Sequence, residues 1–162
     1  MDRTSRRNML KTAAKTAAVA TAGAVIAGKA EAQAPARMEK RNPAAPPPVP
    51  GQPAPKQMYA PAVAYGNLLF LSGVGYHDPG TIEDATRHVL QELEQNLIKA
   101  GSSLQKALKV NVYLNDLKDY DRMNAVYRTF DFGSPAAVRT TVSPAAGIPG
   151  NSLIEIDMIA YI

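Results

Sequence analysis

From residue 58 to residue 162 the apolar spacing switches between every second position and every third or fourth, and the order of switches leaves few folds open. "AVAYGNLLFLSG" sets two short apolar runs around Gly66-Asn67, the pattern of a hairpin. In "TIEDATRHVLQELEQNLIKAG", Ile82, Ala85, Val89, Leu93 and Leu97 recur at helical spacing, with Glu83 and Asp84 near the start and Gly101 as a stop. "ALKVNVYLND" alternates, which predicts a strand with Leu108, Val110, Val112 and Leu114 on one face. "DYDRMNAVYRTF" returns to helical spacing through Met123, Val126, Tyr127 and Phe130. "AAVRTTV" reads as a strand, "SPAAGIPGNS" as a Pro/Gly loop and "LIEIDMIAYI" as a last strand. The order ββ–α–β–α–ββ predicts an α+β fold, a two-layer sandwich with both helices on one face of the sheet.

What precedes residue 58 is of a different kind. Residues 33–57 hold eight of the thirteen prolines and almost no large apolar side chain. Proline cannot donate to a ladder or a helix, and so little apolar surface cannot offset the entropy of ordering, so this segment is expected to be an extended, disordered spacer. Residues 1–32 begin with the basic "SRRNMLK", continue through a mildly apolar Ala17–Gly28 stretch and end in small residues. That is the layout of an export signal, and the paired Arg6-Arg7 resembles the twin-arginine type, with Ala30-x-Ala32 as the expected cleavage site. Twelve uncharged residues fall short of the roughly 20 that span a bilayer. No stable membrane span is therefore expected, and the location is expected to be periplasmic or secreted, reached through the twin-arginine export machinery.

Composition removes several kinds of chemistry. The chain has no cysteine, which excludes disulfides and thiol nucleophiles. Its two histidines, His77 and His88, are eleven positions apart, without metal-ligand spacing, so no metal site is expected. His88 is expected on a solvated helix face and His77 in the turn "YHDPG". The net charge of +4 is all carried by residues 1–32. From Met58 onward eight basic residues face eleven acidic ones, so the folded part lacks the basic face that nucleic acid requires.

The period of two gives the last strand two faces: Ile154, Ile156 and Met158 on one, Leu153, Glu155 and Asp157 on the other. With helices over the apolar side, the second face is expected to carry Glu155, together with Arg139 and Thr141 from the preceding strand, and to be buried against another subunit. Arg139 then has two readings. It is a surface or structural arginine paired with Glu155 or Asp157, or its planar fork holds a ligand carboxylate. Under the second reading, Glu155 is a candidate to hold and polarise a water.

"YAPAVAYGNLLFLSG", "NLIKAGSSLQKALKVNVYLNDLKDYDRMNAVYRTF", "VRTTV" and "IPGNSLIEIDMIAYI" resemble, in order, the Rid family of RidA/YjgF-like enamine/imine deaminases. The resemblance covers nearly all of residues 58–162. It implies a chorismate-mutase-like fold with a mixed sheet, a homotrimer with sites between subunits, and no cofactor. Position by position, it implies that Arg139 binds the substrate carboxylate and Glu155 positions the hydrolytic water. Tyr59, Ser72, Gly73, Asn124 and Thr141 are then substrate-binding. The reaction implied is hydrolysis of a 2-enamine or 2-imine acid, such as 2-iminobutanoate, to a 2-keto acid and ammonia. Two stretches depart from the family pattern: "SGVGYHDPG" after the second strand, and a slightly long "VSPAAGIP" between Arg139 and Glu155. Against the deaminase stands a non-catalytic reading, a trimeric small-carboxylate-binding or holdase-like protein of the periplasm.

Overall fold

The structure, a computed structural model, describes residues 38–43, 45, 50–51 and 56–162. The export-signal expectation for residues 1–32 lies outside the described residues. Six strands form one sheet in the order β1-β2-β3-β6-β4-β5. They are β1 (Lys40–Arg41), β2 (Ala62–Tyr65), β3 (Leu68–Gly75), β4 (Ala107–Leu114), β5 (Val138–Val142) and β6 (Ile154–Tyr161). Two helices, α1 (Ile82–Lys99) and α2 (Tyr120–Tyr127), complete the α+β architecture. All neighbouring strands pair antiparallel except β4 and β5, which run parallel and are joined through α2.

The sheet begins earlier than the spacing alone predicts. Lys40–Arg41, inside the stretch expected to be spacer, pairs with β2 through Lys40–Tyr65 and Arg41–Ala64. Between β2 and β3 the chain turns at Gly66, whose φ of +62° suits the two-residue hairpin. Helix α1 starts at a reciprocal cap: Thr81 Oγ1 accepts from the Asp84 N–H, and the Asp84 carboxylate accepts from the Thr81 N–H. Its apolar stripe Ile82, Ala85, Val89, Leu93 and Leu97 is fully buried, as the spacing predicts. It packs on Leu69, Val110, Val112, Ile154, Ile156 and Met158 of the sheet, with Met123 of α2 beside it. At about 25 cal/mol per Å² of apolar surface, this layer is the principal stabilising contribution.

One residue of β4 departs from its expected face. Leu108 is 44% exposed, while Val110, Val112 and Leu114 are buried. The cause is a bulge between Ala107 and Lys109 against β6, which inserts one residue and turns Leu108 outward. Among the described residues no helix is long and apolar enough to cross a membrane.

Candidate active site

The parallel register of β5 sets Arg139 beside Val110 and Thr141 beside Val112. Paired neighbours share a face of the sheet. Both valines are buried under the helices, so Arg139 and Thr141 point to the helix side. This corrects the expectation that they share a face with Glu155. The physical reason is that β5 is an edge strand, where Arg139 lies against Tyr120 and Tyr127 of α2 rather than against the main core. A long polar side chain fits there without entering the core. Arg139 Cζ lies 4.5 Å from the Tyr127 ring centroid and 6.0 Å from that of Tyr120, a cation–π arrangement. Burial pushes the Tyr127 phenol up to about 12, against the opposing pull of the Arg139 charge.

Around this arginine the polar groups are poorly answered. Among the described residues no carboxylate pairs with it, neither Glu155 nor Asp157. Thr141 Oγ1, on the same face, is buried and has no hydrogen-bond partner. Thr141 also lines a depression of about 510 Å³, together with Leu117, Lys118, Tyr120 and Asp121. Asn124, only 9% exposed, lies between the two tyrosines on the α2 stripe.

Glu155 stands on the opposite, outer face, in register with Tyr113 on one side and Gly75 on the other. A Cβ at Gly73 would collide with Glu155 Oε1 and lie 2.7 Å from its Cδ, so the carboxylate occupies space that only glycine leaves free. Glu155 shares a depression of about 210 Å³ with Tyr113, Pro144, Gly147, Ile148 and Pro149. Beside it Asp157 is fully engaged: it accepts from Asn111 Nδ2 at 2.8 Å and from the Tyr113 hydroxyl at 3.0 Å. That hydrogen bond, with burial second, holds the Tyr113 phenol above its ordinary value. Ser72, one residue before Gly73, donates from its N–H and its hydroxyl to the Pro61 carbonyl at 3.0 and 3.3 Å. Tyr59 stands 76% exposed, just before β2.

The chain thus carries two groups that do not meet. Arg139, Thr141 and Asn124 belong to the helix side of one edge, whereas Glu155, Gly73 and Ser72 lie on or beside the outer face. Sequence reasoning missed the tyrosine platform under Arg139, although the i, i+4, i+7 spacing of Tyr120, Asn124 and Tyr127 was there to be read. It also missed the Asn111–Asp157–Tyr113 network, which no spacing along one strand reveals. His88 lies on the exposed face of α1, with Nε2 3.6 Å from Glu92. Among the described residues no cluster of three or more metal-ligating side chains occurs.

A mixed sheet with two helices is the architecture of YjgF-type proteins. A YjgF-family structure from Neisseria meningitidis superposes with a TM-score of 0.63 at 27% identity, covering 76% of this chain and 95% of that one. The chain belongs to the family described as endoribonuclease L-PSP, whose profile matches residues 50–162. A RutC family protein of Pyrococcus horikoshii is 40% identical over 116 residues, 67% of this chain and 90% of that protein. A 2-iminobutanoate/2-iminopropanoate deaminase of Dermatophagoides farinae is 30% identical over 117 residues, 68% of this chain and 90% of its own length.

Proposed function

We propose that this protein hydrolyses reactive 2-imino acids to 2-keto acids and ammonia, at sites assembled between subunits of a homotrimer. The observation that carries the reading is Arg139: a guanidinium seated on Tyr127, with no protein carboxylate against it and an unpartnered Thr141 hydroxyl on the same face. Such a fork binds a carboxylate in two hydrogen bonds. Opposite faces of one protomer cannot close on one small substrate, so Glu155 is supplied by a neighbouring copy. The deaminase relative supports the chemistry. A nuclease reading, which the family's description raises, is disfavoured by eight basic against eleven acidic residues from Met58 onward.

Within such a site Arg139 and Thr141 hold the carboxylate, with Asn124 and Tyr59 lining the pocket and Ser72 and Gly73 leaving room beside Glu155. Glu155 accepts a proton from water as the water oxygen bonds to the imine carbon. The proton then passes to nitrogen, Glu155 relays the hydroxyl proton of the tetrahedral intermediate to the same nitrogen, the C–N bond breaks, and ammonia leaves as the carbonyl forms. Each residue returns to its starting state. The export signal, if cleaved after Ala32, puts this activity outside the cytoplasm.

The test generates 2-iminobutanoate with an amino-acid oxidase and traps it with semicarbazide. The protein should suppress the trapped product, and Arg139→Ala should not. A calorimetric titration with 2-ketobutyrate separates catalysis from mere capture. Glu155→Gln should still bind the keto acid while losing turnover by roughly 100-fold or more. A folded wild type that leaves trapping unchanged would move the assignment to the binding-protein reading.

A further inference from the structure

Next to the Glu155 depression, two segments distant in sequence are tied together. His77 Nδ1 lies 3.1 Å from the Gly150 carbonyl oxygen. A carbonyl only accepts, so that ring nitrogen carries the proton. The imidazole covers Gly150 so closely that a Cβ there would stand 2.8 Å from both Cε1 and Nδ1, at a φ of +72°. Its other nitrogen faces Gly75, where a Cβ would lie 3.4 Å from Nε2 and 3.1 Å from Ser152 Oγ. One residue further along, the Tyr76 N–H donates to Ser152 Oγ at 2.9 Å, and that buried hydroxyl donates to the Ile154 carbonyl at 2.6 Å.

These contacts lie beside Glu155. Gly75 is its register partner on β3, and Ile154 is its chain neighbour. Gly147, Ile148 and Pro149, which wall the Glu155 depression, run directly into Gly150. The latch thus ties the departing stretch around His77 to Gly150, the residue that directly follows the other departing stretch. Apart from it, this wall is tied by the Gly147 N–H to the Pro144 carbonyl at 3.1 Å and the Ile148 N–H to Asn115 Oδ1 at 3.3 Å. The Ile148 side chain is buried, so packing holds the wall as well, while its polar ties are few and one more at Gly150 adds to its resistance to local opening.

We propose that His77 is a positioning residue that locks Gly150, fixes the Gly147–Pro149 wall, and so sets which substrate side chains enter the Glu155 site. This rests on the deaminase reading. A pocket wall discriminates one methylene by a factor of about 10 or more only when it does not yield, and His77 supplies that stiffness. Selectivity among 2-imino acids is thereby assigned to a side chain that need not touch the substrate.

Three measurements on the full-length protein test it. Long-range proton–nitrogen spectra at about pH 8 should find His77 as the Nδ1–H tautomer. An Nε2–H tautomer would break the latch outright. Amide exchange of Gly147 and Ile148 should accelerate by roughly 10-fold in His77→Ala and return toward wild type in His77→Gln, which keeps an N–H donor. Unchanged exchange overturns the proposal. Finally, the kcat/KM ratio of 2-iminobutanoate to its homologue one methylene longer should change by about 3-fold or more in His77→Ala, and Gln should restore it. An active wild type with an unchanged His77→Ala ratio refutes the specificity role alone. An inert wild type, by contrast, sinks the deaminase reading and this role with it.

Discussion

Arg139 rests on an aromatic surface where a carboxylate partner was one of two expectations, and that arrangement has a measurable electrostatic signature. Its charge lowers the Tyr127 phenol that burial has raised to about 12. Removing the charge in Arg139→Ala should therefore raise that phenol further, visible as a later onset of tyrosinate absorbance in an alkaline titration. Gly73 makes a second residue-scale test. Because its missing Cβ is replaced by the Glu155 carboxylate, Gly73→Ala must displace that carboxylate or the strand. We expect a loss of activity of roughly 100-fold, since misplacement of about 1 Å is that costly. The stability cost should be small, about 0.5 kcal/mol or less in denaturant titrations, because the colliding atoms are the end of a flexible side chain on an exposed face.

Helix α1 is the element whose termini are most explicitly specified. Its Thr81–Asp84 cap is worth about 1 kcal/mol, so Thr81→Ala should lower unfolding free energy by that amount without altering m. Arg122 of α2 forks onto Glu83 through Nε at 2.8 Å and an Nη at 2.7 Å, joining the two helices. The Glu83 carboxyl is held low first by the Arg122 hydrogen bond, and that of Asp84 first by the Thr81 hydroxyl. Lowered folded values mean that the unfolded chain binds protons more readily. This stability is present above the ordinary carboxylate values and is lost as pH falls through the lowered ones. Melts from about pH 6 to about pH 2 should show a falling Tm, with a shallower fall in Glu83→Gln. The elements were legible in the sequence because two distinct periods alternate there. Leu108 was not, because a bulge changes facing without changing composition. The side taken by Arg139 was equally hidden: VRTTV alternates weakly, and only its register against β4 decides which face is inward.

For the whole molecule, the proposed oligomer with its opposite-facing half-sites would have each copy serve two sites, one with each face. Arg139→Ala and Glu155→Gln chains should be inactive apart. Co-refolded in equal amounts, they should recover about one quarter of wild-type activity, since that fraction of boundaries in a closed ring pairs two intact halves. No recovery would place both residues in one chain's site and reject the shared geometry. Candidate residues were thus readable one by one, while their partition between faces depended on strand pairing that no single stretch encodes.

The two-residue strand β1 bears on where this chain can be cut. A break after Ala32 leaves seven residues of slack before Lys40, so the sheet keeps its outermost rung. A protease that trims past Arg41 would instead strip β2 of its cover and leave unpaired amides along a flat margin. The shelf life of a preparation would then depend on its N-terminus: intact material staying clear, over-trimmed material seeding turbidity through margin-to-margin stacking.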